Sequence, residues 1–201
     1  PEVVIATWCG DVASRNSPWD VGWQVPLARC CDLTLHSSHT HVKALREAGV
    51  HTAAYLQIGY DEEQYRPEQH IADFDVCFLG NRHYGSPAHA MKRHDGDLRD
   101  GAVAAFQSAF GKRFAVFGSG YEGPSVMGGI SLSSAHEAYW RSRIGLNVSF
   151  VNFFEVYSSD RIFRILGCGS LLLTKSFPLM STYGLVHGEN CLVWETPADA
   201  V

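Results

Sequence analysis

The stretch Tyr157–Thr174, YSSDRIFRILGCGSLLLT, constrains this chain more than any other. Ser158 and Ser159 are N-cap residues and Asp160 falls in the first turn, which together signal a helix start. Ile162, Phe163, Ile165 and Leu166 recur at helical spacing, and Gly167 and Gly169 supply the stop. Ser170–Thr174 is a short apolar run of the length that fills a buried parallel strand. The unit is loop, short helix, glycine turn, strand, and it needs a sheet to join. Its helix start carries backbone N–H groups without intrahelical partners, so it predicts a site for an anion. Arg161 and Arg164, three residues apart, share one helix face and add charge there.

The remaining sequence alternates in the same way. Glu2–Trp8 is rich in β-branched residues and reads as a strand ending at Cys9-Gly10-Asp11. Asp11 follows that strand's C-terminal end, where open α/β sheets place ligand-handling residues; a turn aspartate bonding its own backbone is the alternative. Ser14–Gly22 is polar and turn-rich, and Trp23–Cys31 reads as a helix. Asp32–Leu35 is a second strand and Val42–Ala48 a helix capped by Ser38 or Thr40. Ala53–Ile58 is a third strand. Gly59–His70 carries charges, a proline and no apolar period, and reads as a linker.

A second series begins at Asp75. Strands are expected at Val76–Leu79, Phe114–Phe117, Gly145–Phe150 and Asn190–Trp194, with helices at Leu98–Phe110 and Ala135–Ile144. Alternation of this kind predicts parallel sheets flanked by helices. With 201 residues, 46% of them hydrophobic, the chain can bury one large core or two small ones. A net charge of −5 argues against bulk nucleic-acid binding. No apolar run reaches the roughly 20 residues needed to span a bilayer, and no signal peptide is visible. The six cysteines lack CxxC spacing, which points to free thiols in a reducing compartment, the cytoplasm. Pro1 standing directly before a strand suggests a piece of a longer protein.

Three patterns are weaker than they look. His36, His39 and His41 lack the further ligand pair that a zinc site needs, so no metal is expected. Gly118–Gly123 matches GxGxxG after a strand, but Pro124, Gly128 and Gly129 prevent a helix from starting on it. A glycine-lined loop open to a ligand is what remains. Asp95-Gly-Asp97 looks like a metal-chelating DxD pair, yet MKRH precedes it and a helix follows, so Asp97 is expected to cap that helix.

Asp75–Asn81 (DVCFLGN), Phe114–Tyr121 (FAVFGSGY), Ser142–Ser149 (SRIGLNVS) and the Tyr157–Thr174 stretch follow one another as in glycosyl transferases group 1. TWCGDV, LREAG and YLQIGYDEEQYRP fit the segment that precedes that domain. The chain most resembles the branch containing spore-maturation (CgeB-like) and phage-encoded glycosyltransferases. The resemblance implies a GT-B-like α/β fold of Rossmann-type parallel sheets with the N-terminal domain incomplete. Residues 1–60 would close an acceptor-side domain, 61–70 link, and 71–201 bind the nucleotide sugar. It also implies metal-independent transfer of a sugar from a nucleoside-diphosphate donor, with no resident cofactor. The acceptor would be an undefined glycan, protein or small molecule.

On that basis Ser158, Ser159, Asp160, Arg161 and Arg164 would hold the donor diphosphate, with Gly80, Asn81, Arg82, Gly118 and Gly120 lining the cleft. Arg161 is the expected stabiliser of charge on the leaving nucleotide, and Arg82 a second one. Glu155 and Asp11 are the candidate catalytic carboxylates, with His36 as a partner for Asp11; the alternatives are an exposed loop charge for Glu155 and a satisfied loop histidine for His36. One position departs from the resemblance: relatives carry a ribose-binding glutamate where this chain has Arg164, and Glu155 is out of step with their paired-glutamate spacing. That departure keeps two alternatives open, an epimerase of the same fold and a non-catalytic sugar-nucleotide or glycan-binding module.

Overall fold

In the computed structural model, residues 3–12, 19–82 and 95–201 are described. The basic stretch before Gly96 and most of the turn-rich stretch from Ser14 lie outside them.

Among the described residues every strand pairing is parallel. Three strands, β1 (Ala6–Cys9), β2 (Leu33–His36) and β3 (Ala53–Tyr55), form a small sheet in sequence order. The helices α1 (Val25–Ala28) and α2 (His39–Glu47) make its crossovers, and Val42, Leu45, Val50 and Ala53 fill its core. Trp23–Cys31 yields only the four-residue α1: Pro26 suits the first turn of a helix, but no side chain caps its start. Ser38 caps α2 by accepting from the His41 amide.

The larger sheet has six strands: β4 (Phe74–Leu79), β5 (Phe114–Phe117), β6 (Val126–Gly128), β7 (Ser142–Asn147), β8 (Leu171–Lys175) and β9 (Cys191–Trp194). Their spatial order is β6-β5-β4-β7-β8-β9. Val76 and Phe78 of β4 face one core with α3 (Gly96–Phe110), through Val103 and Phe106. Cys77 faces the opposite core, built on Tyr139 of α4 (Ala135–Trp140) and on Ile162 and Ile165 of α5 (Arg161–Gly167). Helices therefore cover both faces, as near-continuous apolar strands require. The chain runs outward from β4 to β6 and then returns to place β7 on the other side of β4. That reversal creates a topological switch point between the C-terminal ends of β4 and β7, where open α/β sheets hold ligands.

Several boundaries differ from expectation: β1 begins only at Ala6, β3 ends at Tyr55 and β7 at Asn147, and β6 has no counterpart among the expected strands. The helix expected over Ala135–Ile144 stops at Trp140, and β7 begins at Ser142, because Ser142 and Ile144 pair with Phe74 and Val76. Pairing with β4 outweighs local helical propensity here. Asp97 lies inside the first turn of α3; Asp95 is the flanking residue, and its carboxylate accepts from the Asn152 amide and side chain.

The small sheet meets the large one through the aromatic loop after β7. Val12 packs with Val151 and Phe154, and Trp19 meets Phe154 edge-on. The hydroxyls of Tyr55 and Tyr183 both donate to Gln57 Oε1, bridging the two halves a second time. Tyr65, in the segment between the sheets, is buried against α4 and α5.

Candidate functional site

Arg161 is the first residue of α5, and its side chain reaches the switch point. Its Nε donates to the Leu79 carbonyl at 2.7 Å, at the end of β4. Its Nη1 donates to Asn147 Oδ1 at 2.9 Å, at the end of β7, and to Ser159 Oγ at 3.0 Å. The guanidinium also lies 5.3 Å over the Phe78 ring. A second arginine converges from the other core. Arg99, 3% exposed, donates through Nε and Nη2 to the Val148 carbonyl and stacks 3.5 Å over Phe150. Burial first, and then the charge of Arg161, push Arg99 down to about 9.

Asn147 holds this arrangement together. Its amide nitrogen donates to Ser158 Oγ at 3.3 Å and to Thr174 Oγ1 at 2.9 Å, while its oxygen takes Arg161. Ser149 Oγ accepts from the Ser159 amide at 3.0 Å. Asn147, Ser149, Ser158 and Thr174 are all buried. Buried polar groups of this kind rigidify a site when each one is satisfied.

Beside this network opens a cavity of about 220 Å³. Leu79, Gly80 and Asn81 line it after β4, and Phe117 and Gly118 after β5. Gly129, Ile130, Leu132, Ala135 and Tyr139 form a second wall, and Asp160, Arg161 and Arg164 a third. The β4 and β5 loops are laced together: the Gly80 amide donates to the Phe117 carbonyl, and the Ser119 amide to Asn81 Oδ1. A Cβ at Gly118 would stand 2.1 Å from the Gly80 carbonyl oxygen, so only glycine allows this approach.

Arg164 also faces the cavity. Its Nη2 pairs with Asp160 Oδ2 at 2.5 Å, its guanidinium lies 5.2 Å over the Tyr65 ring, and its Nε is buried without a partner.

Of the residues singled out in the sequence, Gly80, Asn81, Gly118, Asp160, Arg161 and Arg164 meet at this cavity. Others are placed differently. The helix starts at Arg161, not at Ser158 or Ser159, and its N-cap is Asp160, whose side chain makes no capping bond. Ser159 Oγ accepts from the Arg161 amide, whereas Ser158 is buried against Asn147. Asp160 is turned to Arg164 by charge. Arg82 is drawn to α3 by an ion pair with Asp100 at 2.6 Å and does not line the cavity. Gly120 turns at a positive φ of 84° outside the lining.

Glu155 is exposed and also outside it; its backbone accepts from the His39 amide and its own amide donates to Thr40 Oγ1. Asp11 is exposed after β1. His36 is not presented to the cleft: it is fully buried, accepts from the Ser38 amide at Nδ1 and stacks on His41. Burial, with His41 beside it, lowers its pKa to about 3. His39 instead meets Tyr55 edge-on, so the three histidines do not converge. Among the described residues no group of three His, Cys, Asp or Glu is placed to hold a metal ion.

Arg99, Asn147 and Tyr139 escaped the sequence reading. A signal existed for Arg99, which precedes Ala102, Val103 and Phe106 at the spacing of the buried helix face.

The two parallel sheets flanked by helices make this an α/β protein of the GT-B type, and the solved structures of HepE and TarM share the architecture. The chain belongs to the glycosyl transferase-like family, whose profile matches residues 99–201. The structure of HepE (Alr3699) from Anabaena, in complex with UDP and glucose, superposes with a TM-score of 0.62 at 13% identity. That match covers 96% of this chain and 58% of HepE; a second HepE structure, with UDP-glucose, gives 0.61. TarM matches with a TM-score of 0.62 at 8% identity over 95% of this chain and 40% of its own. The chain thus spans 58% of the length of HepE and 40% of that of TarM. No curated protein sequence matches it. No helix among the described residues is long and apolar enough to cross a membrane.

Proposed function

We propose that the cavity is the donor site of a glycosyltransferase that uses a nucleoside-diphosphate sugar. The observation that carries this reading is Arg161, fixed at the switch point by bonds to the ends of β4 and β7. A cation held there is preorganised for the diphosphate, whose charge builds on the leaving nucleotide as the glycosidic bond breaks. Arg164, one turn along the same wall, extends the positive character of the cleft. The family match and the UDP and UDP-glucose bound by HepE support the same donor class.

In this reading residues 71–201 are the donor domain, 61–70 the linker, and 1–60 part of an acceptor-side domain. Val3, Val4 and Ile5, just before β1, and Trp8 on it are exposed apolar side chains, which suits a region covered by further protein. Transfer would be metal-independent, and the motifs resemble those of the CgeB-like and phage-type branch.

One observation favours a second reading, a non-catalytic nucleotide-sugar-binding module. Among the described residues Asp160 is the sole acid lining the cavity and is paired with Arg164, while Glu155 lies outside. Calorimetry of the chain with UDP, GDP and dTDP tests the site itself. Binding is the expected result, and no heat with any of them at millimolar concentration overturns the assignment. Donor hydrolysis or transfer by the longer protein then separates enzyme from module.

A further inference from the structure

Two buried donors on the cavity wall lack partners. Tyr139 is 1% exposed, and its hydroxyl makes no hydrogen bond. Arg164 Nε is likewise buried and unpartnered, because the pairing with Asp160 engages only Nη2. Both residues line the same cavity. A buried hydroxyl left unsatisfied destabilises the fold that contains it, so native proteins rarely keep one without a use. Packing does not require it: the Tyr139 ring sits among Tyr65, Ile162 and Ile165, where phenylalanine would fill the same space.

The chemistry of the pair is one-sided. A guanidinium is donor-only, and burial holds the tyrosine protonated well above its ordinary pKa. Two donors sharing one pocket call for an acceptor oxygen. The neighbouring wall is apolar, built of Ile130, Leu132 and Ala135, and suits the face of a heterocycle, whereas Arg161 suits the diphosphate.

We infer that Tyr139 and Arg164 form the base subsite of the cleft, donating from the Tyr139 hydroxyl and from Arg164 Nε to a carbonyl oxygen of the nucleobase. This rests on the donor-site reading above. A carbonyl oxygen such as uracil's has two lone pairs and satisfies both donors at once, whereas each ring nitrogen of adenine has one and leaves a donor unpaired. Sites built to hydrogen-bond one substrate group reject analogues lacking it for this reason.

The test is Tyr139→Phe, with calorimetry of UDP and ADP on both proteins and thermal melting of each without ligand. UDP affinity is expected to fall about tenfold in the variant, with ADP, already the weaker ligand, unchanged. The unliganded variant is expected to melt at the same temperature or higher, since it loses an unsatisfied group. If UDP and ADP weaken alike, or neither weakens, the base subsite is wrong while the cleft stands. A lower melting temperature would give the hydroxyl a structural role and also overturn the inference. Failure of wild-type protein to bind either nucleotide would remove the donor-site reading itself.

Discussion

Asn147 Oδ1 accepts from Arg161 Nη1 at 2.9 Å, and through this one bond the end of β7 aims the cation at the start of α5. The same carboxamide donates to Thr174 on β8, so three neighbouring elements fix one guanidinium. Asn147→Asp keeps the acceptor and the shape but adds a negative charge beside Arg161. We expect the variant to fold and to bind UDP at least fivefold more weakly, with uridine binding unchanged, as charge-assisted pairing competes with the phosphates. Calorimetry with the two ligands reads the difference, and equal loss for both would show a general distortion instead.

Arg161→Lys should cost more. Lysine retains the charge but not the planar fork that spans Leu79 and Asn147. The expectation is a loss of about tenfold to a hundredfold in UDP affinity, the range for hydrogen bonds to charged groups. A fully active lysine variant would mean that charge alone suffices at the switch point.

Gly118→Ala tests the laced loops. The new Cβ would meet the Gly80 carbonyl oxygen at 2.1 Å and its carbon at 2.7 Å, both backbone atoms that cannot rotate away. Overpacking of this kind costs about 3 kcal/mol or more, lowering the melting temperature of a domain this size by roughly 6–12 °C. Differential scanning calorimetry measures it; an unchanged melting temperature would mean that the β4 and β5 loops separate freely.

His36 gives the small sheet a dependence on acid. Its pKa falls from the ordinary 6.5 to about 3 in the folded chain, so between those values the unfolded chain binds a proton that the folded one does not. Stability therefore drops as pH falls from about 6.5 toward 3, by up to a few kcal/mol. His36→Asn retains an acceptor for the Ser38 amide and removes the titration. Urea denaturation of the variant between pH 4 and 6.5 should show a shallower pH slope than wild type. Identical slopes would place the acid sensitivity elsewhere.

Much of the fold was legible because its signals are local. The apolar runs at Val76–Leu79 and Phe114–Phe117 are buried strands, as their composition implies. Gly169, at φ 78°, ends α5 as expected: its own amide bonds the Leu166 carbonyl and that of Ser170 the Ile165 carbonyl. The boundary between α4 and β7 was misread because nothing local says that Ser142 will pair with Phe74, many residues away.

The site was legible in part, for the same reason. Arg161 and Arg164 stand out by their place on a short helix, and the glycines by their place after strands. Arg82 and Glu155 were candidates beside them in the sequence, yet Asp100 claims the first and the second turns to solvent. Tyr139 reads in sequence as one more apolar position on a helix; only its place in the cavity lining and its unpartnered hydroxyl distinguish it.

The sequence by itself determined that this chain alternates strands and helices, that its sheets are parallel, and that Arg161 and Arg164 share one short helix. Periodicity, β-branched runs and glycine stops are properties of neighbouring residues, and they survive folding unchanged. Only the tertiary structure decided that β7 returns beside β4, and so that Leu79, Asn147 and Val148 meet around Arg161 and Arg99. Strand order depends on pairing between distant segments, and a charge becomes a binding group only where that order leaves its partners facing a cleft.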